Sequence, residues 1–312
     1  MKLDFQTIKT ITIGTARMWE SDGVYNFCKM TQKQVDAFYV LSDFLGKGAE
    51  ATTGIRLDFY TNSKTFAFTP ANSGRYEVKI NGFLVNTKAN QGEKKTFELE
   101  GEENRVTLYL PSHSKGVLES VEIDDGACVK PCNYDFKMLM IGDSITQGWN
   151  SGIDSLSYAY IVSENLNANT VIQGVGGSFY DLSTLDKIDF NPDIITIAYG
   201  TNDANRISDL NDFASVCTNY LNLVKEYYPS ARIIVMTPIT RLDNVENKAY
   251  GNVRLVDNII KERAEKLGLE VICGMKMLPQ AEEFMSDNLH PNGFGFSIYG
   301  KNLTAELKSK LN

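Results

Sequence analysis

The chain has 312 residues and only two histidines, His113 and His290. The second stands in Asp287-Asn288-Leu289-His290-Pro291. Histidine is the side chain best suited to move a proton near neutral pH. A carboxylate three residues earlier on a turn, Asp287, can reach back to one ring nitrogen, fix its tautomer and stabilise the imidazolium. What such a pair activates is a serine hydroxyl, a weak nucleophile until a base lies within hydrogen-bond reach. Ser144 is the candidate: it closes Gly142-Asp143-Ser144, directly after the apolar run Met138 to Ile141. Attack on a carbonyl also needs donors for the oxyanion that forms. The N–H of Ser144, the N–H of Gly177 in Gly174-Val175-Gly176-Gly177, and the side-chain amide of Asn202 in Gly200-Thr201-Asn202-Asp203 are suitable. This set is that of acyl transfer to water, with Ser144 as nucleophile, His290 as base and Asp287 as its orienter.

Each cluster also has a plain structural use. A Gly-Asp-Ser after a strand can cap a helix, and Asp143 is expected to do so whatever Ser144 does. Gly174, Gly176 and Gly177 could permit tight turns. Asn202 or Asp203 could cap a loop, Asp287 could brace the turn into Pro291, and His290 could be a surface residue. Together these uses require four unrelated coincidences in one chain order, which favours the chemical reading.

The elements that must position these residues follow from the apolar pattern. From about residue 135, buried strands ("MLMIG", "TVIQGVGG", "PDIITIAYG", "ARIIVMTP", "LEVICG") alternate with helical spacing ("SYAYIVSENLN", "NDFASVCTNYLNLVKEYYP", "NVRLVDNIIKERAEKLG", "YGKNLTAELKSKL"). Alternation of this kind predicts a parallel sheet covered on both faces. Right-handed crossovers then bring the strands' C-terminal ends to one edge, where the glycine, serine and asparagine clusters all lie. Residues 1–134 read differently. Seven short runs with partial alternation, from "GIRLDFYTN" to "LESVEIDDG", are punctuated by Gly, Asn, Pro and Ser. They predict an all-β, jelly-roll-like sandwich with no long helix interrupting it. Phe59, Tyr60, Phe66 and Phe68 are expected in its core.

Composition narrows the classes. Apolar residues make up 43% and charged residues 22%, with a net charge of −8. An acidic surface disfavours nucleic acid as a partner, and no window is apolar and long enough to suggest a membrane partner. The five cysteines are odd in number and scattered, which suits a reducing compartment. Cys128 and Cys132 have three residues between them and no second cluster, so no metal is expected, and no cofactor. The N-terminus lacks the apolar core of a secretory signal, so a cytoplasmic location is expected, or a secreted one if a leader was trimmed. Trp149 follows the Ser144 turn and is a candidate to line a substrate pocket or to pack at its mouth. His113, Arg206 and Arg241 are expected to be solvated.

The blocks "GDSITQG", "GVGG", "GTND" and "DNLHP" resemble those of the SGNH hydrolases, also called GDSL esterases, over roughly residues 136 to 312. The resemblance implies a flavodoxin-like, three-layer α/β fold for residues 135–312 and a Ser-His-Asp mechanism without metal. It places the family's serine on Ser144, its oxyanion residues on Gly177 and Asn202, and its acid and base on Asp287 and His290. Where many members carry Asn before the second block, Ile172-Gln173 stand here. A β-sandwich ahead of such a domain further resembles a subset of carbohydrate esterases that remove O-acetyl groups from polysaccharides. The expected partner is therefore a small-molecule or oligosaccharide ester. The alternatives are a lipase or thioesterase of the same superfamily, or a non-catalytic carbohydrate-binding protein on an esterase scaffold. Acyl length, sugar identity and oligomeric state are not fixed by sequence.

Overall fold

The computed structural model describes residues 1–243 and 253–311. The N-terminal part opens with helix α1 (Phe5–Ile11), started by Asp4, whose side chain accepts the Thr7 N–H. It continues through β1 (Thr12–Ile13), β2 (Arg17–Ser21), β3 (Val24–Cys28), α2 (Gln32–Leu41) and α3 (Asp43–Glu50). Eight strands follow: β4 (Arg56–Thr61), β5 (Thr65–Pro70), β6 (Glu77–Ile80), β7 (Phe83–Asn86), β8 (Lys95–Glu98), β9 (Asn104–Tyr109), β10 (Val117–Ile123) and β11 (Val129–Pro131). They form two antiparallel sheets, ordered β1-β4-β9-β6-β7 with β11 on β4, and β2-β3-β10-β5-β8. Inward residues of both sheets share one core, including Leu57, Phe59, Val106 and Leu108 from one and Phe66, Phe68, Leu118 and Val121 from the other. This is a β-sandwich. Phe59, Phe66 and Phe68 are fully buried in it, while Tyr60 is half-buried.

The expectation that no helix interrupts the sandwich is corrected by α2 and α3. Their signals are local and easily overlooked. Thr31 and Gln34 form a capping box at the start of α2, and Ser42 caps α3. After the caps, Val35 and Phe38 in α2 and Gly46 and Gly48 in α3 are poor helix formers. Burial overrides that weakness: Val35, Phe38, Leu45 and Ala49 pack with Cys28, Met30 and Val175 in a cluster of their own.

The second part is a parallel sheet built from β12 (Phe136–Gly142), β13 (Ala168–Gly174), β14 (Ile194–Ala198), β15 (Arg232–Met236) and β16 (Glu270–Ile272). Its order is β13-β12-β14-β15-β16, the flavodoxin-like order expected from sequence. Successive residues feed opposite cores. Met138, Met140, Ile194, Ile234 and Met236 pack under α5 (Tyr158–Asn165) and α8 (Gly293–Leu311). Leu139, Ile141, Ile195, Ile197, Ile233 and Val235 pack under α6 (Leu210–Tyr227) and α7 (Val253–Lys266). The short α4 (Ser144–Gln147) follows β12 directly. The first residue of the expected α7 segment, Asn252, lies outside the described residues. Among the described residues no helix is long and apolar enough to cross a membrane.

The two parts are joined by polar contacts as well as packing. Gln173 Nε2 donates to Lys29 O at 3.0 Å, and Arg75 pairs with Asp154 at 2.9 Å. Gly54, at φ +84°, donates its N–H to the Tyr160 hydroxyl at 2.7 Å. A Cβ there would stand 2.8 Å from Ile172 Cβ. Gly54→Ala should therefore destabilise the chain by about 1–3 kcal/mol, through overpacking and left-handed strain together. Chemical denaturation checks this; a midpoint equal to that of the unmodified chain would contradict it.

Candidate active site

Gly142 ends β12, and the chain turns at Asp143. The Asp143 carboxylate accepts the Ile145 N–H at 2.9 Å and so caps α4. Ser144 is the first residue inside that helix, not its cap, and is 5% exposed. Capping therefore falls to Asp143, as its residue type suggests, and the Ser144 hydroxyl is left for another partner.

That partner is His290. Its Nε2 lies 2.8 Å from Ser144 Oγ, across 146 positions of sequence, and its Nδ1 lies 2.9 Å from Asp287 Oδ2. The other Asp287 oxygen accepts the N–H groups of Leu289 (2.7 Å) and His290 (2.6 Å). Asp287 thus braces its turn and orients the imidazole at once. Asn150 adds a donor to Asp287 Oδ2 at 3.0 Å. Burial pushes the Asp287 carboxyl up, but the His290 N–H, the imidazole and the Leu289 N–H outweigh it and hold the carboxyl below its ordinary value. Its charge persists as pH falls to that value, near 4, and is lost only below it.

The glycine run sorts itself by hydrogen bonding. The Gly176 N–H is taken by Gln147 Oε1 at 2.7 Å. Gly177, at φ +81°, has no acceptor for its N–H among the described residues, and neither has the Ser144 N–H. Gln147 Oε1 also accepts from Trp149 Nε1 at 3.1 Å, and its amide donates to Ser112 O at 2.9 Å. Asn202 does not cap the short helical turn that it precedes; its amide donates to Ser178 O at 2.9 Å. Asp203 braces the same loop by accepting from Gly200 N (2.9 Å) and Tyr180 N (3.0 Å). Burial pushes both Asp143 and Asp203 up to about 7. The Gln173 side chain, standing where an Asn is common, pairs with Gln34 of α2 at 3.2 Å and so ties the second block to the N-terminal part.

A cleft of about 690 Å³ adjoins these groups, lined by Phe44, Lys47, His113, Trp149, Asn150 and Ser286 among others. Trp149 is one of these lining residues. Its ring stacks on His290 at 6.1 Å and meets the edges of Phe44 at 5.9 Å and His113 at 5.8 Å. Phe44 is 56% exposed, and its Cε1 would lie 3.5 Å from a Cβ placed on Gly177. His113 is an exposed loop residue, as expected, but its side chain, 29% exposed, lies against Trp149, and burial lowers its affinity for a proton. Arg241, by contrast, is buried rather than solvated, donating to Thr201 O at 3.1 Å and pairing with Asp243. Arg206 is exposed and lies over Phe179 at 4.2 Å. Gln147, Phe44 and Asn150 escaped the sequence reading. Gln147 sits within the block "GDSITQG", so its nearness to Ser144 was the available signal; nothing local marks Phe44.

A buried serine facing an oriented imidazole should react with a fluorophosphonate. His290→Ala should slow labelling of Ser144 by about 100-fold or more, the scale of a lost general base. Time courses read by mass spectrometry check this, and equal rates would contradict the contact's role.

The model of the GDSL-like Lipase/Acylhydrolase family matches residues 140–298, just over half of the chain. A search of curated protein sequences returns no match. Among solved structures, the salicylyl-acyltransferase SsfX3 from a tetracycline biosynthetic pathway is 16% identical, with a TM-score of 0.81 over 96% of this chain and 94% of that one. A family two carbohydrate esterase from Clostridium thermocellum, in complex with cellohexaose, is 17% identical, with a TM-score of 0.68 over 84% of this chain and 94% of that one. An acetyl xylan esterase, Est2A, from the rumen bacterium Butyrivibrio proteoclasticus is 17% identical, with a TM-score of 0.61 over 83% of this chain and 90% of that one. At these identities the likeness is one of fold.

Proposed function

The chain belongs to the GDSL-like lipase/acylhydrolase family, and from that premise we propose that it is a serine esterase that removes small acyl groups, acetyl first, from carbohydrate hydroxyls. In this reading residues 135–312 form the catalytic domain and residues 1–134 an accessory domain that contributes one wall of the cleft. The observation that carries it is the alignment of Ser144 Oγ, His290 and Asp287 at 2.8 Å and 2.9 Å.

The ionised Asp287 holds a proton on Nδ1 and leaves Nε2 to accept the Ser144 proton as Oγ attacks the ester carbonyl. The oxyanion receives the N–H groups of Ser144 and Gly177 and one amide hydrogen of Asn202. His290 then returns its proton to the leaving sugar oxygen, the carbon–oxygen bond breaks, and the acyl group remains on Ser144. Water, deprotonated by the same nitrogen, attacks the acyl carbon; the carboxylic acid leaves and Ser144 regains its proton. A small acyl group is supported by Phe44, whose ring stands within van der Waals reach of a Cβ placed on Gly177. A sugar alcohol is supported by the aromatic and polar lining of the cleft and by the carbohydrate esterases that share the fold.

Ser144→Ala should lower hydrolysis of nitrophenyl acetate by at least about 10³-fold with the fold intact. Retained activity would move the nucleophile elsewhere. Phe44→Ala should raise kcat/KM for a hexanoate ester relative to acetate by about tenfold or more, the scale of added methylenes admitted to an apolar pocket. An unchanged ratio would remove Phe44 from acyl selection. Release of acetate from acetylated xylo- and manno-oligosaccharides in preference to a triglyceride and an acyl-thioester is the expected substrate pattern; the reverse preference would overturn the carbohydrate assignment.

A further inference from the structure

A second cavity, of about 130 Å³, lies between the sandwich and α5, lined among others by Arg56, Lys79, Arg105, Tyr109 and Glu164. Tyr134 and Asn167, which also line it, directly precede β12 and β13 or stand just ahead of them. The cavity therefore sits at the N-terminal ends of the parallel strands, opposite the edge that carries Ser144.

Its floor is Arg56, which is 1% exposed. Nη2 of Arg56 donates to Ser163 Oγ at 3.1 Å and reaches Ala168 O at 3.5 Å. Nε and Nη1 are buried and have no hydrogen-bond acceptor among the described residues. The nearest carboxylate, Asp58, stands 3.9 Å from Nε, and its oxygens are already occupied. They accept Nε and Nη2 of Arg105 at 2.9 and 2.7 Å, the Tyr134 hydroxyl at 2.7 Å, the Thr107 hydroxyl at 3.1 Å and the Cys132 thiol at 3.3 Å. Glu164 is engaged by Lys79 at 2.8 Å and by the Tyr109 hydroxyl. A guanidinium cannot shed its proton, so its free donors call for an acceptor from outside this network. Three cations (Arg56, Arg105, Lys79) face two carboxylates (Asp58, Glu164), which leaves one positive charge in surplus.

We propose that this cavity binds a small tetrahedral oxyanion, inorganic phosphate or sulfate, which accepts hydrogen bonds from Nε and Nη1 of Arg56 with Arg105 and Lys79 flanking it. The three cations come from β4, β9 and β6, neighbouring strands of one sheet, and the register places all of them on the same face, so they meet the ligand from one side. Bound there, the ion stabilises the folded chain by mass action.

The test titrates the full chain with sodium phosphate, and in parallel with sodium sulfate, at an ionic strength held constant with sodium chloride. Calorimetry and thermal melting are the readouts. The expected result is a saturable one-site heat and a melting temperature that rises to a plateau for either ion. Arg56→Met abolishes the saturable phase. Lys79→Met, a change nearer the rim that keeps a fold-independent comparison available if Arg56→Met is unstable, weakens affinity about tenfold, as the loss of one charge-assisted contact does. Both variants keep the unmodified rate of nitrophenyl acetate hydrolysis, so the result is separable from the esterase reading. A response that only grows linearly with concentration overturns the proposal, because it reports general salt effects. Superimposable titrations of the unmodified chain and Lys79→Met overturn it too, as does saturable binding of acetate with phosphate silent.

Discussion

The contact between Ser144 Oγ and His290 Nε2 is the geometry that the fold has to deliver. At 2.8 Å it leaves no slack, yet its partners are 146 residues apart. Neither residue could find the other through local structure. The parallel sheet makes the meeting possible: β12 delivers Ser144 to one edge, and the turn before α8 delivers His290 to the same edge. The core on each face of that sheet, fed by alternate residues of every strand, holds the edge in register. Polar bracing does the fine positioning. Asp143 caps the serine turn, Asp203 ties the Asn202 loop, and Gln147 takes the Gly176 N–H so that the free donor is that of Gly177.

The sandwich is joined to this arrangement rather than appended to it. Helices α2 and α3 bring Gln34 to Gln173 and Phe44 to Gly177. His113, from the loop after β9, meets the edge of Trp149. One wall of the cleft is thus built from residues that carry no part of the serine chemistry. This division is a physical reason why members of one fold can share a reaction and differ in substrate.

Legibility in the sequence followed the range of the forces involved. The parallel strands could be read because burial on both faces demands continuous apolar runs, as in Met138 to Ile141. The clusters around Ser144, Asn202 and His290 could be read because each chemical role admits few residue types. Seven sandwich strands were visible from alternation, but β1, β2, β3 and β11 were not: β1 and β11 are very short, β2 is nowhere buried, and β3 is buried at four successive residues and so does not alternate. Helices α2 and α3 were hidden because their sequences are weak helix formers stabilised by tertiary packing, against Val175 among others. Arg241 read as solvated because polar residues in loops usually are; its partner Thr201, like the contact of the exposed His113 with Trp149, is set by the tertiary fold alone.

The role of Ser144 is tested most directly by catching the acyl group on its carrier. The chain is mixed with an aryl acetate, quenched in acid within milliseconds, digested and examined by mass spectrometry. A transient adduct with the mass of one acetyl group is expected on the peptide containing Ser144, rising and decaying with turnover. Turnover with no adduct on Ser144, or with the acetyl group on another residue, would contradict that role.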